Sequence, residues 1–103
     1  MKVLVCEPRR EPVEKEIDGT LESMQEIVGG HIEAVYTWVD PVALVCNEEG
    51  KLIGLPANRR IGGDLIAGTF FLAGVGTEDF ISLSDELIKK YKLTLMIRPR
   101  LVR

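Results

Sequence analysis

The sequence predicts an α+β protein: a small, mostly antiparallel sheet of five to six strands with two short helices. Three observations carry that prediction. Short β-branched and aliphatic runs recur between clusters of Gly, Pro, Asn and Asp; two other segments place apolar residues at helical spacing; and the separator Glu48-Glu49-Gly50 is short enough for a hairpin. A length of 103 residues suits one core, so a single domain over 1–103 is expected.

Residues 1–7 form an aliphatic strand that stops at Pro8, which has no N–H for a ladder. Arg9-Arg10-Glu11-Pro12 is a polar turn, and the weak apolar/charged alternation of residues 13–17 predicts a half-exposed second strand, giving a hairpin. A helix begins at Thr20. Leu21, Met24, Ile27 and Val28 share one face, Glu22 suits the positive end of the helix dipole, and Gly29-Gly30 ends the helix. Three strands follow as a meander over residues 32–38, 42–47 and 52–55, then a loop over 60–64 and a strand over 65–75. Ser82 and Asp85 have capping-box spacing, so a second helix is predicted to about Lys92 with Leu83, Leu87, Ile88 and Tyr91 on one face. Residues 93–97 are read as a last strand.

Composition narrows the function. Hydrophobic residues make up 46% and charged residues 28%, as in a folded globular chain. The balance of 13 Lys+Arg against 16 Asp+Glu, net charge −3, opposes binding to a nucleic-acid duplex. Cys6 and Cys46 lie in apolar runs and are read as reduced core thiols. With no leader-like segment and no apolar run approaching ~18 residues, a cytoplasmic protein without a membrane span is expected.

Catalysis needs a base or acid paired with a group that orients it or shifts its pKa. The one histidine, His31, follows two glycines and is read as a surface or capping residue. Neither a metal site nor a cofactor is predicted, because no His/Cys set has ligand spacing; Glu48-Glu49 and Glu78-Asp79 are adjacent pairs that diverge on a strand. No glycine cluster has phosphate-loop spacing, although Gly74-Val75-Gly76 is a candidate anion nest. The positive signal is Asn58, Arg59 and Arg60 combined with Tyr36 and Trp38. Guanidinium groups grip phosphate, an amide reads a base or ribose edge, and aromatic faces stack on bases. The same two rings, two residues apart on one strand, would equally serve as core packing. Arg98, Arg100 and Arg103 are candidates to add charge to that site or to a neighbouring subunit's.

The run EIDGTLESMQEIVGGHIEAVYTWVDPVALVCNEEGKLIGLPANR, with the later IAGTFFLAG, resembles a small family carried by phages and other mobile elements, domain-of-unknown-function family 3846. The similarity covers nearly the whole chain. Members often carry a longer acidic insertion before the GTFF strand and an aromatic residue at position 31, and this chain has neither. The resemblance names no activity; its mobile-element context implies a counter-defence protein. With the residues, it leads to one expectation: a homo-oligomer in the host cytoplasm that sequesters a small anionic nucleotide signal, of cyclic dinucleotide or ADP-ribose type, without turnover. A protein inhibitor or adaptor acting on a host enzyme is the first alternative, and a metal-dependent hydrolase of such signals the second.

Overall fold

The computed structural model describes residues 1–97, so Arg98, Arg100 and Arg103 lie outside the described residues. The elements are β1 (Lys2–Cys6), β2 (Val13–Glu16), α1 (Leu21–Val28), β3 (Ile32–Val35), β4 (Val42–Asn47), β5 (Ala57–Ile61), β6 (Asp64–Ala67), β7 (Phe70–Val75), β8 (Phe80–Ile81) and α2 (Asp85–Thr94). One sheet runs β2-β1-β7-β4-β3, with β8 beside the far end of β7, and β5 and β6 form a separate hairpin. Every pairing is antiparallel. The architecture is α+β with two helices, as the residue patterns predict.

Both faces of the central strands are covered, which is why β4 and β7 read as continuous apolar runs and not as alternating ones. On one face Val3, Val5, Ala43, Val45, Phe71 and Ala73 meet Met24 and Val28 of α1. On the other, Leu4, Cys6, Leu44, Phe70 and Leu72 meet Ile88, Tyr91 and Leu95 of the α2 segment and Ile61 and Ile66 of the small hairpin. Each fully buried aliphatic side chain contributes about 1.5–3 kcal/mol.

The helix ends follow their sequence signals, with one shift. Thr20 caps α1 by accepting from Ser23 N, and Gly29 closes it in the left-handed conformation. Leu21, expected on the apolar face, is exposed. For α2 the capping residue is Ser84, whose hydroxyl accepts from Leu87 N, because the Ser82 hydroxyl is taken by the backbone N–H of Lys2. Buried Asn47 ties the layers together: Nδ2 donates to the Val28 carbonyl at 3.1 Å and Oδ1 accepts from Glu49 N at 2.8 Å.

Four strand predictions are corrected. Residues 52–54 are turn and Leu55 follows outside any strand, with Leu52 and Ile53 exposed, because hydrogen bonds from Ile53 N to Glu49 O and from Leu55 N to Gly50 O curl the chain. The next strand is β5, so Asn58, Arg59 and Arg60 lie on a strand and not after one. Residues 65–75 split at Gly68 into β6 and β7, in different sheets; Gly68 has φ +83 and donates to the Pro56 carbonyl. Strand β3 ends at Val35, leaving Tyr36 and Trp38 in the β3–β4 loop, and residues 93–97 continue from α2 without forming a strand. Among the described residues no helix is long and apolar enough to cross a membrane.

Candidate functional site

The candidate residues separate into two places. Asn58 and Arg59 are neighbours, yet both reach toward the end of β1, because the β5–β6 register shifts between Ala57 and Arg59. Asn58 Nδ2 donates to the carbonyls of Cys6 at 2.8 Å and Gly68 at 2.9 Å, while its Oδ1 accepts from Arg59 Nη1 at 2.6 Å. The amide is spent inside the protein and does not face solvent as a reader of a base.

Arg59 is held by the backbone of two other elements. Nε donates to Leu95 O at 2.7 Å, Nη2 to Arg10 O at 2.6 Å, and Nη1 weakly to Glu7 O at 3.4 Å. With the Asn58 bond, four of the five guanidinium N–H groups have acceptors, all of them neutral oxygens. Among the described residues no carboxylate forms an ion pair with Arg59. The cation therefore keeps its full charge and fixed orientation. Arg60 is exposed and makes one long contact, Nη1 to Gly63 O at 3.4 Å. These residues and the segment Thr94–Ile97 line a hollow of about 340 Å³. Half-open Met96 and Ile97 edge it, and Glu11 Oε1 accepts from Ile97 N at 2.6 Å.

Neither ring joins this hollow. Trp38 packs on Tyr91 with ring centroids 4.8 Å apart and planes tilted by 57°, half-buried against the α2-side core. Tyr91 in turn donates to Asp40 Oδ2 at 2.8 Å, beside Lys90 Nζ at 2.6 Å. Tyr36 is 61% exposed and lines a different, larger cleft of about 890 Å³ with Met24, Phe80, Ile81, Glu78 and Asp79. The shared aromatic–guanidinium pocket expected from the sequence is thus absent among the described residues, because β3 ends before the two rings and sends them to separate surroundings.

The remaining candidates are accounted for locally. His31 is exposed, and Glu78-Asp79 sit in the β7–β8 turn. Gly74-Val75-Gly76 offers no open nest, since Val75 N donates to Pro41 O and Gly76 N to Asp79 O. Burial raises the Cys6 thiol to about 12, partly opposed by Arg59, and the Cys46 thiol to about 11, so both are protonated at neutral pH. Among the described residues no cluster of three or more His, Cys, Asp or Glu side chains is placed to hold a metal ion. The residues that sequence reasoning missed are Asn47 and Leu95; a buried Asn inside an apolar run was the one available signal for the former.

No curated protein and no solved structure matches the chain. One family model does, over residues 1–96 and so across nearly all of the described fold, and the chain accordingly belongs to the family described as Domain of unknown function (DUF3846).

Proposed function

We propose that this protein binds and sequesters a small anionic, nucleotide-derived ligand without turnover, as a counter-defence factor of a phage or mobile element acting in the host cytoplasm. One observation carries the reading: Arg59 is a rigid cation whose neighbours are neutral carbonyl and amide oxygens, with exposed Arg60 beside it over the same hollow. A phosphate held there gains an unneutralised charge, one remaining N–H of Arg59 and the open donors of Arg60. Met96 and Ile97 supply the apolar surface on which a planar base would rest, in place of Trp38 and Tyr36. The C-terminal carbonyls of α2 oppose an anion at this end of the helix, and Arg59 offsets them.

A second reading, an adaptor or inhibitor docking on a host protein, is favoured by Met96 and Ile97, half-open at the rim of the same hollow, and by exposed Leu93 in the last turn of α2. Calorimetry with a panel of cyclic dinucleotides and ADP-ribose derivatives separates the two. Binding that weakens about tenfold in Arg60→Ala, with the ligand recovered intact by mass spectrometry after heat denaturation, supports sequestration. No binding by any panel member rejects it, and a cleaved ligand points to a hydrolase.

A further inference from the structure

The two ends of the six-stranded sheet are built differently. Strand β2 carries Glu14, Lys15 and Glu16 in succession, all exposed, which guards its open edge with charge. Strand β3, at the other end, carries a single charge, Glu33, between Ile32 and Ala34, and among the described residues no strand pairs with its outer edge. Its ladder with β4 fixes which groups face outward. Glu48 N donates to His31 O, and the register continues as Ile32↔Asn47, Glu33↔Cys46, Ala34↔Val45 and Val35↔Leu44. His31, Glu33 and Val35 thus turn their backbone groups to β4, and Ile32 and Ala34 turn theirs outward.

We infer that this edge pairs antiparallel with the same edge of a second copy of the chain, with Ala34 on the two-fold axis. A two-fold axis between antiparallel neighbours stands perpendicular to the sheet and keeps like faces together, so the register centres on a residue. Two such registers keep the pairing within one residue of the strand. Centring on Glu33 sets the two carboxylates face to face, which is repulsive. Centring on Ala34 sets Glu33 against Val35 of the other copy and matches the outward backbone groups of Ala34 with each other, two ladder hydrogen bonds, and extending the pairing one residue past the end of β3 adds about four more between Ile32 and Tyr36.

The same register gives Tyr36 a partner. Residues 32, 34 and 36 share the α1 face, where Ile32 packs beside α1 and Tyr36 lines a cleft with Met24. Pairing delivers each exposed Tyr36 ring onto Ile32 of the other copy, an aromatic-on-β-branched pair of the kind that stabilises sheets. The result is one continuous sheet through both copies. This surface lies outside the hollow at Arg59, and the inference stands whether or not a ligand binds there.

Light scattering over a concentration series is the test, with three variants. The wild-type chain gives twice the protomer mass, and Ala34→Pro returns it to the protomer mass; proline at 34 removes an outward N–H and leaves the ladder with β4 intact. Ala34→Cys forms an intermolecular disulfide under mild oxidation, since facing hydrogen-bonded residues sit about 5.5 Å apart, and Glu33→Cys does not. A protomer mass at every concentration up to hundreds of micromolar overturns the inference, as does a dimer that survives Ala34→Pro or cross-links through Glu33→Cys alone. Should Ala34→Pro fail to fold, the cysteine pair decides the register without it.

Discussion

Arg59 closes the C-terminal end of α2 by donating its Nε–H to the Leu95 carbonyl at 2.7 Å. The same guanidinium reaches the β1–β2 turn at Arg10, so one side chain from the small hairpin fastens a helix end and a sheet corner together. Arg59→Ala is expected to destabilise the fold by about 2–3 kcal/mol, because charge-assisted bonds contribute more than neutral ones and those to Leu95 O and Asn58 Oδ1 are partly buried. Urea denaturation followed by the fluorescence of the one tryptophan checks it. Arg59→Lys should recover less than half of the loss, since one ammonium cannot span acceptors fixed by a planar fork. A change below about 0.5 kcal/mol in Arg59→Ala rejects the fastening role.

The residue types at this site were legible in the sequence, and their partners were not. Asn58 and Arg59 stand out by composition, but what they hold is backbone carbonyl at Cys6, Glu7, Arg10, Gly68 and Leu95, which carries no side-chain signature. Strands β1, β4 and the start of β7 were legible because burial on both faces leaves an unbroken apolar run. The segment 52–55 was misread because Leu52 and Ile53 are apolar yet exposed, held in turns closed by hydrogen bonds from Ile53 and Leu55. Ser82 and Ser84 are both able caps, and only the long-range bond from Lys2 N to the Ser82 hydroxyl decides between them.

Tyr91 gives a pH signature. Burial, reinforced by the bond to the Asp40 carboxylate, raises its phenol to about 12 from an ordinary 10.0. A folded-state pKa above the unfolded one contributes stability that is present below pH 10 and lost as pH rises toward 12. Lys90 and then Tyr91 hold the Asp40 carboxyl below its ordinary 3.8, so that contribution is present above this value and lost as pH falls below it. Ultraviolet titration should show one tyrosine ionising near pH 12, absent in Tyr91→Phe, and that variant should lose about 1 kcal/mol at neutral pH. A Tyr91 phenol that titrates near its ordinary 10.0 would contradict the buried ring and its bond to Asp40.

The cysteines should be silent until the protein unfolds. Cys6 and Cys46 are buried in the core on the α2 side, and desolvation is the main cause of both raised pKa values. A thiol-reactive chromophore at pH 8 is expected to label neither in the native protein and both in concentrated urea. Rapid labelling of the native chain would show that one of them is exposed.

The β5–β6 turn separates two costs that glycine avoids. Gly62 and Gly63 both have positive φ, +59 and +82, but a Cβ on Gly63 meets nothing within 4 Å, whereas one on Gly62 lies 2.6 Å from the Thr37 methyl. Gly63→Ala therefore carries the backbone strain alone, about 1 kcal/mol. Gly62→Ala adds a collision with a β-branched side chain that has few rotamers to retreat to, and should cost about 2–3 kcal/mol. Thr37→Ser deletes the offending methyl, so the double variant Gly62→Ala/Thr37→Ser should be more stable than the sum of the two single changes by about 1 kcal/mol. Strict additivity in that cycle would mean that the hairpin turn does not rest on the β3–β4 loop, leaving Ile61, Ile66 and the Asn58 bond to Cys6 O to hold β5, and with it Arg59, against the sheet.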